Sequence, residues 1–249
     1  MKTLLILGGS GFFVKIFLDS YINGDLKKFK VKKIILVSRN LKELKKKYYH
    51  LKNVVFKEID LTKHINLPNA NMIVHAAEST IKNYKFKEFK KIVKKSEKIS
   101  TNIYNYLKQN KEPKSFIYIS SGAVYGQRNN KKRFKESEKI LIKNINNLEK
   151  RKKYYALNKI KSEKKFLKLL GLRHNIKIAR CFTFIGKHIP KNESYAVGNF
   201  FERAKNKLDI DLNLFNSKYI FRSYLDSKNL VNSLMKMLAF KSKIYYPVF

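Results

Sequence analysis

The sequence is short of cysteine, acidic residues, glycine, proline and long apolar runs, and the shortages of cysteine and of apolar runs each remove a class of protein. The single cysteine, Cys181, cannot close an intrachain disulfide, which excludes a disulfide-stapled scaffold and favours a reducing compartment, the cytoplasm. No apolar run reaches the roughly 20 residues of a membrane-spanning helix, so no membrane association is expected. The opening Met1 to Leu7 could start a signal peptide, but Gly8-Gly9-Ser10-Gly11 cuts it short and no small-residue cleavage site follows cleanly. That opening reads as a buried strand. Against 56 Lys+Arg there are 18 Asp+Glu, a formal charge of +38. Such an excess attracts polyanions, so non-specific nucleic-acid binding is an expectation. The lysines are spread along the whole chain, beside many Asn, Ile, Phe and Tyr. That spread is a composition bias acting everywhere; a dedicated nucleic-acid surface is more often a localised patch or tail.

What is present fits one large α/β domain with room for a small subdomain, the chain having 249 residues. Short apolar runs alternate with helical patterns, as in a parallel sheet covered on both faces. Strands are expected at 3–7, 33–38, 54–59, 72–75, 115–120 and 176–181, and helices at 12–22, 84–109 and 155–170. Residues 127–153, polar, basic and weakly patterned, read as a surface excursion.

The first strand, the Gly8-x-x-Gly11 turn and the following helix make a phosphate-binding start. Glycines let the backbone approach a pyrophosphate, whose charge sits at the helix N-terminus. Val14 stands where a third glycine would allow the closest packing of helix on strand. The second strand ends Val37-Ser38-Arg39-Asn40. Ser38 takes the place of the carboxylate that would bind the adenosine ribose of NAD, and Arg39 can accept a 2′-phosphate, so NADP is preferred, with NAD possible. The competing reading of Arg39 is one more solvated cation. After the third strand, Asp60-Leu61 brings a carboxylate to where it can meet an adenine amino group. After the fourth, Ala76 and Ala77 allow close passage of a cofactor or pack as an ordinary buried pair.

The chemistry is carried further on. Tyr155 and Lys159 are four residues apart and share one face of a helix. An ammonium beside a phenol favours the ionised form, bringing a group with a pKa of about 10 toward the working range of an acid/base catalyst. Ser121, at the end of the fifth strand, supplies a hydroxyl to hold the substrate oxygen. A lone Y-x-x-x-K in a chain this rich in both residues also fits a plain surface helix.

Taken together the motifs resemble the extended short-chain dehydrogenase/reductase family, the NAD-dependent epimerase/dehydratase group of nucleotide-sugar enzymes. They are Gly8-Gly9-Ser10-Gly11-Phe12, Asp60-Leu61, His75-Ala76-Ala77, Ser120 to Gly126, Tyr155 with Lys159, Arg180 to Gly186 and Arg222-Ser223-Tyr224-Leu225, in family order over nearly the whole chain. The resemblance implies a Rossmann-like doubly wound parallel sheet. It divides the chain into residues 1–180, a cofactor domain carrying the catalytic Ser, Tyr and Lys, and residues 181–249, a partial substrate-binding region interleaved with the sheet and shortened at its end. It implies Tyr155 as general acid/base, Lys159 as its partner and holder of the nicotinamide ribose, and Ser121 as the hydroxyl polarising the reacting oxygen. Cofactor contacts are implied at Gly8, Ser10, Gly11, Phe12, Phe13, Ser38, Arg39, Asp60, Leu61, Ala76, Ala77, Tyr155, Lys159 and Phe182. Substrate contacts are implied at Ser79, Ser121, Gly122, Thr183, Asn199 and Arg222, although Asn199 also suits a helix N-cap and Arg222 a surface cation. A homodimer through the Tyr155 helix is implied too, with Lys161, Lys164, Lys165 and Lys168 opposing it by repulsion.

Dehydratases of this family carry an Asp-Glu pair just after the catalytic hydroxyl, because removal of water needs an extra acid and base. Gly122 and Ala123 stand there and transfer no proton, so 4,6-dehydration is not expected. Hydride exchange at one sugar carbon remains. NADPH-dependent reduction of a 4-keto-6-deoxy nucleotide sugar is the first expectation and 4-epimerisation the alternative. An expectation of a different class is a non-catalytic dinucleotide-fold protein with RNA affinity.

Overall fold

Strands buried on both faces read as continuous apolar runs, and Thr-Leu-Leu-Ile-Leu at the start of the chain is one of them. In the structure, a computed structural model that describes residues 1–8, 11–77, 86–127, 134–135, 137–191, 196–210 and 223–240, it forms β1 (Lys2–Leu7). Five more strands join it in parallel: β2 (Val31–Ser38), β3 (Val54–Glu58), β4 (Met72–His75), β5 (Ser115–Ser121) and β6 (Asn175–Cys181). Their order is β3-β2-β1-β4-β5-β6. This is the doubly wound Rossmann arrangement, in which the order reverses between β1 and β4 and opens a crevice beyond their carboxyl ends.

The side-chain period of two sends alternate residues to opposite layers. Leu4, Ile6, Ile34, Leu36, Met72, Val74, Ile117 and Ile119 pack against Val14, Phe17 and Leu18 of α1 (Phe12–Ile22) and Leu230, Leu234 and Leu238 of a C-terminal helix, 227–239. Leu5, Leu7, Ile35, Val37, Ile73, Phe116, Tyr118 and Ile178 face the other way, toward Ile103 and Leu107 of a helix over 86–109 and Phe166 of one over 150–167. In chain order the remaining helices are α2 (Lys42–Tyr48), α3 (Phe86–Gln109), α4 (Ile142–Asn146), α5 (Lys150–Leu167), α6 (Ala196–Lys205) and α7 (Ser227–Ala239).

Two sequence expectations need correction. The surface excursion is partly core: Ile145 of α4 is fully buried with Val124, Tyr125, Ala156 and Ile160, and α5 begins at Lys150, five positions before the expected start. An isolated buried isoleucine in a lysine- and asparagine-rich stretch leaves no periodicity to read. The sequence also gave no sign of a second, two-stranded parallel sheet, β7 (Phe184–Ile185) and β8 (Leu225–Asp226). Asp226 then starts α7, its carboxylate accepting from the N–H groups of Lys228 and Asn229 at 2.8 and 3.2 Å.

Candidate active site

The crevice begins at Gly8. Its φ of +143° is strained for any side chain, and a Cβ there would lie 2.6 Å from the Ala76 carbonyl group. Glycine is therefore required for the turn to close on the end of β4, where Ala76 and Ala77 present little bulk. The helix α1 starts from Gly11, which offers no side-chain cap, and its first turn holds no acid. Among the described residues no side chain caps the first N–H groups of α1, so they and the positive end of the helix dipole can receive an anion. This cradle fits a dinucleotide pyrophosphate. Phe12 and Phe13 lie partly buried in the first turn, with ring centroids 5.2 and 5.5 Å from that of Phe184 on β7.

On the β2–β3 side, Ser38 is half-buried and Arg39 exposed. Asp60 accepts from the Thr62 N–H at 2.9 Å and the Thr62 hydroxyl at 2.8 Å. Those bonds, with the Arg39 charge nearby, hold its carboxyl below the usual carboxylate range. Arg39 and Asp60 are thus neighbours at one end of the crevice. Leu61 is a core side chain whose carbonyl accepts from Asn102.

The other end is built on α5 and β5. Lys159 is only 4% exposed, and its ammonium donates to the Ile119 carbonyl at 2.8 Å. It stands 4.9 Å from the Tyr118 ring centroid and 5.7 Å from that of Tyr155, which is half-buried. Two residues beyond Ile119, Ser121 caps the short 3-10 turn Gly122–Tyr125, its Oγ accepting from the Ala123 N–H at 3.2 Å. That bond uses a lone pair and leaves the hydroxyl proton to be donated. Fully buried His75 accepts from the Ala77 N–H at 3.2 Å; burial first, then the Lys159 charge, lowers its pKa to about 3. Burial pushes the Cys181 thiol up to about 12 in spite of Lys159. Neither changes charge near neutral pH; among the described residues at this end of the crevice, Tyr155, Lys159 and Ser121 carry hydroxyl and ammonium donors.

Phe182 decides what else fits. A Cβ on Gly122 would fall 2.5 Å from its ring. That ring lies nearly parallel to Tyr125, centroids 6.0 Å apart, and Tyr125 stacks on Phe134 at 4.9 Å. The volume of a side chain at position 122 is already filled. Thr183, just before β7, sends its hydroxyl to the Ser223 carbonyl, two residues before β8. Asn199 lies within α6, partly buried, which corrects the N-cap reading. Gly198 beside it lets the helix meet the Pro190 carbonyl oxygen, 2.1 Å from where a Cβ would be. Ser10, Ser79 and Arg222 lie outside the described residues.

A cluster that sequence reasoning missed lies directly beneath this site. Glu163, one turn beyond Lys159 on α5 and 2% exposed, accepts from Arg180 at 2.8 to 3.2 Å through Nε and Nη2, and from the Ser120 hydroxyl at 2.5 Å. Arg180 also donates to the Tyr125 hydroxyl at 3.0 Å. Burial works against the Arg180 charge, but Glu163 and Tyr125 outweigh it and strengthen its hold on the proton. The signal was the four-residue spacing from Lys159 to Glu163, which repeats that from Tyr155 to Lys159.

The model of the NAD dependent epimerase/dehydratase family matches residues 4–246. The chain belongs to that family, which is a family of enzymes. Sequence comparison with curated proteins gives no match. Among solved structures, a dTDP-glucose 4,6-dehydratase from Streptomyces venezuelae with NAD bound is 14% identical, with a TM-score of 0.78 over 99% of this chain and 74% of its own. A UDP-glucuronic acid 4-epimerase from Bacillus cereus, in complex with UDP-glucuronic acid and NAD, is 17% identical, with a TM-score of 0.73 over 99% and 76%. RMD from Pseudomonas aeruginosa, complexed with NADPH, is 19% identical, with a TM-score of 0.68 over 100% and 75%. At these identities the likeness is one of fold. No described helix is long and apolar enough to cross a membrane.

Proposed function

We propose that this chain is an NAD(P)H-dependent oxidoreductase acting on a nucleotide-diphosphate sugar, and that its reaction is reduction of a 4-keto-6-deoxy sugar at C4. The observation that carries the reading is the pairing of the Ser121, Tyr155 and Lys159 group with a filled position 122. Proton handling at one oxygen is provided for, and the acid that dehydration places after the catalytic hydroxyl has no room beside Phe182. The preference for NADP rests on Ser38 and exposed Arg39 and on the absence of an acidic side chain at their positions.

In this reading NADPH supplies the hydride when bound. The Gly8–Gly11 turn and the α1 N-terminus hold its pyrophosphate, Ala76 and Ala77 give it passage, and Arg39 and Asp60 flank its adenosine end. Ser121 donates a hydrogen bond to the C4 oxygen. Tyr155 gives that oxygen a proton as negative charge develops there, and Lys159 stabilises the tyrosinate left behind. Phe182 and Thr183 border the reacting carbon; Asn199 with Ser79 and Arg222 serve the substrate. Residues 1–180 hold cofactor and catalytic groups, residues 181–249 serve the substrate, and α7 returns to cover the sheet.

Epimerisation at C4 is the second reading, favoured by the 4-epimerases among the structural neighbours. Two single-turnover assays separate the readings: net oxidation of one NADPH per 4-keto sugar supports reduction, and inversion at C4 of a 4-hydroxy sugar supplied with NAD+ or NADP+, with no net change in the cofactor, supports epimerisation. We place the protein in the cytoplasm as a homodimer, with non-specific nucleic-acid binding as a weak property of its cationic surface. Sedimentation at low and high salt tests the dimer, and a monomer at both refutes it.

A further inference from the structure

We infer that Glu163 and Arg180 are positioning residues that hold the proton-handling groups in register, an inference that rests on the proposed roles of Ser121, Tyr155 and Lys159. The site is assembled from four pieces of chain: the end of β5, the 3-10 turn after it, α5 and the end of β6. Parallel pairing already holds the end of β5 to the end of β6, and the turn follows directly from β5; the buried ion pair adds side-chain ties that join both strands to α5 and to the turn. Glu163 Oε1 binds Ser120, the neighbour of Ser121, and both carboxylate oxygens bind Arg180, two residues before Phe182. Arg180 reaches on to Tyr125, the last residue of the turn that Ser121 caps. One carboxylate therefore ties α5 to β5 and β6, and one guanidinium ties β6 to the turn. Because the donor fork is planar and bidentate, it fixes direction as well as distance.

The pair lies one helical turn below Lys159, whose ammonium is anchored to the Ile119 carbonyl on the same strand. Rotation or sliding of α5 about the pair would pull Lys159 off Ile119 and away from Tyr155. A buried ion pair is weak evidence for stability, because desolvation of both charges offsets their attraction. Its position under the site, with contacts to all four pieces, points to geometry as its use. The pair touches no reacting atom and acts only through Ser121, Tyr155, Lys159 and Phe182.

The test is Glu163→Gln in the full chain, with two independent readouts. Turnover should fall 10- to 100-fold with KM and cofactor Kd within about twofold, and the pH–rate profile should change shape as Lys159 loses its place beside Tyr155. Separately, acylation of Lys159 by an amine reagent, followed by peptide mass spectrometry, should speed up several-fold, because the native ammonium is buried. Wild-type turnover, an unchanged pH–rate profile and wild-type protection of Lys159 would overturn the inference. If the wild-type protein turns over no sugar, the functional reading fails, and Lys159 protection alone still decides the bracket. If Glu163→Gln does not fold, Ser120→Ala and Tyr125→Phe each remove one neutral partner. Either one loosening Lys159 supports the bracket, and both leaving it protected overturn it.

Discussion

The two ends of the cofactor crevice hold their charges in opposite ways. At the β2–β3 end Arg39 is exposed, and the Asp60 carboxylate accepts from nearby Thr62. At the β5–β6 end Lys159, Glu163 and Arg180 are all at least 95% buried and are fixed by one another, by Ser120 and Tyr125, and by a strand carbonyl. Water screens the first set and weakens the coupling between Arg39 and Asp60. In the second set a charge cannot be moved without disturbing its partners. In the proposed reading, recognition of the cofactor is therefore adjustable by single substitutions, and the proton-handling end is not.

Substitutions at the two ends should separate in size accordingly. The largest effect is expected at the reaction centre: Tyr155→Phe should lower kcat about 10²- to 10⁴-fold with KM and fold retained, as steady-state kinetics and circular dichroism can check. Next is Gly122→Asp, which restores the residue type used for dehydration but drives it into the Phe182 ring. Overpacking of this kind costs about 1–3 kcal/mol, to be read by urea unfolding, and no dehydrated product should form. Adding Phe182→Ala should recover part of the stability, and no recovery would contradict the overlap.

The fully buried His75 sets a pH dependence. Its pKa falls from 6.5 to about 3 on folding, so the unfolded chain takes up a proton that the folded chain refuses. Its favourable effect is complete above pH 6.5 and is lost as pH falls, at about 1.4 kcal/mol per pH unit toward pH 3. Urea unfolding at a series of pH values should show that slope, and His75→Asn, which keeps an acceptor for Ala77, should remove it. At the exposed end the effect is smallest: Arg39→Ala should raise KM for NADPH about tenfold, leave KM for NADH and kcat nearly unchanged, and weaken further contrasts at high salt. An equal change for both cofactors would remove the difference between the two ends.

The same contrast explains what was legible in the sequence. The mouth of the crevice is written in local motifs, a Gly8-x-x-Gly11 turn after a strand and small residues after β4, and all six sheet strands announce themselves as apolar runs. Tyr155, Lys159 and Ser121 were readable for the same reason, through helical spacing and strand ends. The bracket under them was not, because Glu163 and Arg180 meet across 17 residues of sequence, and Arg180 is one cation among 56. Ile145 and the β7–β8 pair were hidden for a related reason: two-residue strands and a lone core residue have no period to detect. Phe182 was named as a cofactor contact, but its occupation of the space at Gly122 depends on a close approach that spacing cannot reveal.

The most direct measurement is NADPH oxidation, followed by near-ultraviolet absorbance, with a panel of 4-keto-6-deoxy nucleotide sugars, in the wild-type protein and Tyr155→Phe. Oxidation with at least one sugar, faster with NADPH than NADH and lost in Tyr155→Phe, is the predicted result. Wild-type silence across the panel while cofactor binding is detected by fluorescence, or undiminished turnover in Tyr155→Phe, would contradict it.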